Sequence, residues 1–135
     1  MVATIAILAA VPLTSDALRH RMIETLPNRL EADVASVEQV TDMFEQIDGE
    51  LGELDILVTS AGVVRDTLLG ASEAIDFEHV LSVNVVGTVN CCREASKRMV
   101  AKRSGVITTI SSAAARAHGR GQSNYAASKG AVEAF

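Results

Sequence analysis

Tyr125 and Lys129 stand one helical turn apart in Tyr125-Ala126-Ala127-Ser128-Lys129, and Ser112 lies thirteen residues upstream of the tyrosine. On a helix, positions i and i+4 share one face, about 6 Å apart along the axis. A free phenol titrates near pH 10, which makes it a poor acid–base group at neutral pH. A cation one turn away favours the phenolate form. A phenol tuned in this way can exchange a proton with a substrate oxygen. A serine delivered from a separate strand could hydrogen-bond that same oxygen. Tyr125 is the only tyrosine in the 135 residues, so the pair is not picked from many candidates. Taken alone, a Tyr-x-x-x-Lys spacing also describes an ordinary solvated helix face.

The surrounding pattern supplies strands and helices in alternation. Ala3–Ala9 reads as a strand, followed by a Pro12 turn and a helix over Ser15–Leu26 that puts Leu18, Met22, Ile23 and Leu26 on one face. Leu30–Val34 reads as a second short strand. Ser36 with Gln39 makes a capping-box start for a helix burying Val37, Val40, Met43, Phe44, Ile47 and Leu51, loosened at its end by Gly49 and Gly52. Leu54–Thr59 is a third strand. Ser72 is expected to cap a long helical stretch over 73–103, broken near Asn84, with Phe77, Leu81, Val85, Thr88, Cys92, Ala95 and Met99 as its stripe. Val106–Ile110 is a fourth strand, and Asn124–Phe135 a final helix. Such alternation predicts an α/β domain: a parallel sheet with helices on both faces. Strands of such a sheet present functional residues at their C-terminal ends. Ser112, Thr59–Gly62 and Asp33 all fall at such ends.

Composition removes several function classes. Twelve Lys and Arg against 17 Asp and Glu, with a pI near 5.1, argue against nucleic acid and anionic membrane surfaces. The apolar stretch Val2–Leu13 has no preceding Lys or Arg, the first being Arg19, so it does not read as a signal peptide. It is also too short for a membrane span. Cys91 and Cys92 are adjacent on a helix and point different ways, which disfavours a bond between them. Both read as reduced packing thiols of a cytosolic protein. His20, His79 and His118 share no ligand spacing, and no metal is expected.

The order Asp33-Val34, Thr59-Ser60-Ala61-Gly62, Asn84-Val85-Val86-Gly87, Ser112 and Tyr125-x-x-x-Lys129 resembles the short-chain dehydrogenase/reductase family, over about residues 3–135. The resemblance implies a partial Rossmann-type domain spanning residues 1–135. It also implies hydride transfer between NAD(P)(H) and a carbonyl or alcohol carbon of a small-molecule substrate. By the same resemblance Ser112 binds the substrate carbonyl and Tyr125 is the proton donor or acceptor. Lys129 binds the nicotinamide ribose and lowers the tyrosine pKa, and Asn84 holds a water that relays protons to Lys129. Asp33 and Val34 lie at the adenine, and Ser60, Ala61 and Gly62 form a cofactor-lining turn, with Thr59 and Ser60 standing where the family carries two asparagines. Gly62-Val63-Val64-Arg65-Asp66 resembles the Gly-Ile-Thr-Arg-Asp segment of 3-oxoacyl-[acyl-carrier-protein] reductases, pointing to a 3-oxoacyl thioester. A sugar or steroid alcohol is the alternative substrate. The NAD/NADP selector should fall near Ala9 or Ala10, and the missing acid there tilts towards NADP. The parent is expected to be a homodimer or homotetramer, associating through the helices at 84–103 and 124–135.

One departure is large. All nine glycines lie at or after Gly49. The family's glycine-rich turn, which lets backbone N–H groups meet the pyrophosphate, has no counterpart. Aligned by motif, the sequence is expected to lack the first strand and the last two strands. It therefore reads as an internal segment, inactive and a weak NAD(P)H binder alone. A truncated, non-catalytic remnant and an interaction module are the other expectations. Without the first strand, Ala3–Ala9 and Leu54–Thr59 would face a slot about 9.6 Å wide. Closure into a direct pair is expected, because each buried unpaired backbone group costs about 1–3 kcal/mol.

Overall fold

The computed structural model describes residues 6–9 and 32–135. In chain order these residues form β1 (Ala6–Ala9), α1 (Val37–Glu50), β2 (Leu54–Thr59), a 3-10 turn at Leu69–Ala71, and α2 (Ala74–Leu81). A π-helical turn at Ser82–Val86 leads into α3 (Gly87–Lys102), and β3 (Val106–Thr109), a second 3-10 turn at Ala113–Ala115 and α4 (Ser123–Ala134) follow. The expected helix Ser15–Leu26, with residues 3–5 of the first strand and 30–31 of the second, lies outside the described residues.

β2 and β3 pair in parallel, from Ile56 opposite Val106 to Thr59 opposite Thr109. Ile110 N–H continues the ladder to the Thr59 carbonyl at 3.1 Å. A parallel pair requires a long crossover, which the helical residues between the two strands supply. β1 pairs directly with β2, from Ala6 opposite Val58 to Ala9 opposite Leu54. This is the closure expected above, but its direction corrects the sequence expectation, because β1 runs antiparallel to β2. Backbone groups on the β2 edge need partners in either direction, and antiparallel bonds run straight across the pair and are slightly the more stable.

α1 begins as the capping residues predict. The Ser36 hydroxyl accepts the Gln39 N–H at 3.3 Å, while the Gln39 side-chain oxygen accepts the Asp33 N–H at 2.9 Å. The reciprocal bond thus reaches three residues before the cap, and it ties down Asp33. Val40, Met43, Phe44 and Ile47 are buried, but Val37 is exposed and Leu51 only half-buried. Gly52 ends the segment at φ +81, a conformation disfavoured for residues with a Cβ. Ala32 to Val34 make no strand: Val34 is already in the turn before α1.

The long helical stretch is divided. Ser72 does not cap it; its hydroxyl donates to the Leu69 carbonyl at 2.9 Å, and α2 starts after Glu73 without a side-chain cap. A π-turn inserts one extra residue per turn and rotates the face that follows. The expected stripe holds at Thr88, Cys92, Ala95 and Met99, which are buried together with Gly87 and Cys91; before and within the π-turn the buried residues are Val80, Val83 and Asn84, while Phe77, Leu81 and Val85 are half-buried.

α3 packs on β2 and β3, with α1 against it. Arg98 of α3 pairs with Asp48 of α1 and with buried Glu94, and its guanidinium lies 5.0 Å from the Phe44 ring centre. Lys102 pairs with Asp55 of β2. Leu54 and Leu57 of β2 are fully buried, as expected of a strand covered on both faces, whereas Ile56 and Val58 are half-buried. β3 departs from that expectation, with Val106 58% and Ile107 36% exposed at the sheet edge.

Candidate functional site

Asn84 is the hub of the site. The π-turn points it inward, where it is completely buried. An amide side chain carries both a donor and an acceptor, so it can pair with a peptide unit as a neighbouring strand would. Asn84 does so with Val63: its Oδ1 accepts the Val63 N–H at 2.8 Å and its Nδ2 donates to the Val63 carbonyl at 3.0 Å. The same Nδ2 donates to the Ser128 hydroxyl at 2.9 Å, and that hydroxyl donates to the Tyr125 carbonyl at 2.7 Å. The chain of bonds joins the segment after β2, the π-turn and α4. The Asn84 carbonyl accepts the Thr88 hydroxyl at 2.8 Å.

Lys129 reaches the same place from α4. It is buried, and its ammonium donates to the Ile110 carbonyl at 2.8 Å, beyond the end of β3. Burial pushes the Lys129 ammonium below the usual lysine range. Its Nζ lies 5.9 Å from the ring centre of half-buried Tyr125. A Cβ on Gly62 would stand 3.5 Å from Asn84 Oδ1 and 3.7 Å from Lys129 Nζ. Gly62, Asn84 and Lys129 therefore converge past the C-terminal ends of β2 and β3. Ser111 and Ser112 diverge. The Ser111 hydroxyl donates to the Lys129 carbonyl at 2.9 Å, while half-buried Ser112 accepts the Ala114 N–H at 3.2 Å.

Among the residues expected at a cofactor, Ala61 and Gly62 lie in the turn leading to Val63, next to exposed Ser60. Asp33 and Val34 are tied to the helices instead. The Asp33 carboxylate accepts the Ala35 N–H at 2.9 Å, closing a turn before α1. Val34 is buried, its carbonyl accepts Asn90 Nδ2 at 3.0 Å, and its side chain fills the space beside Gly87.

Sequence reasoning missed Ser128 and Asn124. Both are polar, buried and spaced i, i+4 on α4, one position before Lys129 and Tyr125. Their i, i+4 spacing, one position ahead of the Tyr125 and Lys129 pair, was the available signal. A cleft of about 630 Å³, lined by Leu68, Leu69, His118, Arg120, Ala126 and Ala127 among others, lies on another face of α4 and includes neither Tyr125 nor Lys129.

A parallel strand pair covered by helices, with Asn84, Lys129 and the glycine turn gathered past the strand ends, defines a dinucleotide-type α/β architecture. The family model described as short chain dehydrogenase matches residues 9–135, and the chain belongs to that family. It is 35% identical over 103 residues to the 3-oxoacyl-[acyl-carrier-protein] reductase FabG of Staphylococcus aureus, covering 76% of this chain and 42% of that protein. It is 39% identical over 106 residues to carbonyl reductase family member 4 of Xenopus tropicalis, covering 78% of this chain and 45% of that protein. Among solved structures, a gluconate 5-dehydrogenase from Burkholderia cenocepacia J2315, in complex with NADP and tartrate, superposes with a TM-score of 0.72 at 33% identity, covering 76% of this chain and 40% of that one. An NAD+-bound xylitol dehydrogenase gives a TM-score of 0.73 at 28% identity, over 76% and 40% of the two chains. The fold is thus the Rossmann-like fold of this family, and the chain spans less than half the length of these relatives.

Proposed function

We propose that this sequence is the substrate-side half of an NAD(P)(H)-dependent oxidoreductase acting on a carbonyl or alcohol carbon. The observation that carries the proposal is the convergence of Lys129, Asn84 and Gly62 beside Tyr125. Gly62 supports a nucleotide there: it is exposed, and its missing side chain leaves the Lys129 ammonium and the Asn84 amide lining the turn. The fit is to the ribose and nicotinamide end, because residues 1–48 hold no glycine to cradle a pyrophosphate.

When bound, the nicotinamide supplies or accepts the hydride. Tyr125 moves the proton at the substrate oxygen through its phenol group, and Ser112 hydrogen-bonds that oxygen. An ammonium has three donors. One of those on Lys129 is taken by Ile110, which leaves two for ribose hydroxyls, and its charge stabilises negative charge on the phenol oxygen. The Asn84 carbonyl, which accepts the Thr88 hydroxyl, is the group to hold a relay water. Asp33, Val34, Ser60 and Ala61 complete the nucleotide side. The lack of a carboxylate at Ala9 and Ala10 favours NADP.

The segment Gly62-Val63-Val64-Arg65-Asp66 and the likeness to the 3-oxoacyl reductase support a 3-oxoacyl thioester as substrate. The solved sugar-acid and sugar-alcohol dehydrogenases support a polyol as the second reading. The test follows nicotinamide absorbance in the protein that carries this sequence, offered acetoacetyl thioester, gluconate and xylitol with each cofactor. Tyr125→Phe should lower kcat by at least about 100-fold while cofactor affinity stays. Turnover within tenfold of the unaltered protein would remove Tyr125 from the chemistry.

A further inference from the structure

The start of α4 has no cap of its own. Gln122, in the capping position, makes no side-chain bond to the helix, although the first turn of any helix leaves N–H groups without partners. Asn124 supplies the missing acceptor: its Oδ1 takes the Tyr125 N–H at 2.6 Å. Its Nδ2 simultaneously donates to the Arg65 carbonyl at 2.8 Å, 59 residues away, and the side chain is buried. Around it Thr67 N–H donates to the Gly121 carbonyl at 3.0 Å and Gln122 Nε2 reaches Asp66 at 3.5 Å. The segment after Gly62 is thereby fastened residue by residue to the turn that launches Tyr125.

We propose that Asn124 is a positioning residue that sets Tyr125 in register with the Gly62–Thr67 segment, so that proton-transfer group and cofactor turn move as one body. This rests on the roles proposed above for Tyr125 and Gly62. Asn124→Asp separates the two bonds. It keeps an oxygen for the Tyr125 N–H, is favoured in a first helical turn, and cannot donate to Arg65.

Amide exchange followed by NMR on the chain provides the first test. Asn124→Asp should speed Thr67 exchange at least tenfold while Tyr125 and the α1 amide of Phe44 stay protected; Asn124→Ala should release Thr67 and Tyr125 together. Unchanged Thr67 exchange in both variants would overturn the coupling, as would equal loss of protection at Phe44, which would mark a general weakening of the fold. In the protein that carries this sequence, Asn124→Ala, which adds no charge beside Tyr125, should lower kcat at least tenfold with an unaltered pH profile, since Asn124 moves no proton. A kcat within twofold of the unaltered protein would refute positioning. If the unaltered protein transfers no hydride, the functional reading fails and the exchange result alone decides the coupling.

Discussion

Asn84→Ala strands groups whose partners are all visible. It removes the bonds to the Val63 N–H, the Val63 carbonyl and the Ser128 hydroxyl. Val63 is buried, so its two backbone groups lose their acceptor and donor away from solvent. A buried group left unpaired costs about 1–3 kcal/mol. Water entering the space vacated by the amide could satisfy part of this, which places each loss near the lower limit. The expected destabilisation is then about 3 kcal/mol, a large share of the roughly 5–15 kcal/mol that holds a domain together. Urea unfolding gives the value from the midpoint shift at constant slope. Ser128→Ala removes only the Nδ2–Oγ bond and the weak bracing of Tyr125, about 1 kcal/mol by the same scale. Because the variants share a bond, the double variant should fall short of the sum by about 0.5 kcal/mol or more. A loss below about 1 kcal/mol for Asn84→Ala, or strict additivity, would show that the Val63–Asn84–Ser128 chain does not act as a unit.

Other outcomes follow from single contacts. Gly87→Ala gains up to about 1 kcal/mol of helix propensity, but its Cβ would meet Val34 Cγ2 at 2.4 Å. Overpacking of about 1–3 kcal/mol should win, lowering the melting temperature, and Val34→Ala in that background should restore part of the loss. The Glu94 carboxylate, hydrogen-bonded by Lys97 and Arg98, is held below the usual carboxylate range. Its stabilisation should be complete above the unfolded carboxylate pKa near 4.3 and fade as pH falls through the lower folded value. Glu94→Gln should flatten that acid limb of a stability-against-pH curve. Lys129 is depressed by burial, so the unfolded chain binds its proton more tightly. Stability should therefore rise with pH from the folded value up to the unfolded one near 10.4, and this rise should vanish in Lys129→Gln. Burial, with Cys92 beside it, pushes the Cys91 thiol up to about 12. A thiol reagent at neutral pH should label Cys91 only on unfolding, and rapid labelling of the native chain would contradict its burial.

The residues proposed to carry the chemistry were legible one by one. Tyr125 and Lys129 were readable from helical spacing, and Gly62 from its place after an apolar strand. Leu54–Thr59 was found in full because a short run bounded by Gly52 and Gly62 has little freedom to be anything but a strand. The break at Asn84 was read as a break, but its form was not. Apolar periodicity assumes a constant turn: the expected stripe holds after the π-turn, at Thr88, Cys92, Ala95 and Met99, but before and within it the buried positions are Val80, Val83 and Asn84 rather than Phe77, Leu81 and Val85. Strand direction was equally out of reach: an apolar run such as Ala6–Ala9 carries no sign of which way it will pair, and the open edge of β2 accepted it antiparallel. The residues that hold the site together were hidden for a related reason. Ser128 and Asn124 are ordinary helix residues until a partner arrives from 44 or 59 positions away. Local sequence determines which groups can move a proton and which segments form helices and strands, because those depend on side-chain chemistry and short-range backbone geometry. Only the tertiary structure decides which buried donors meet which acceptors, because that depends on where distant segments pack.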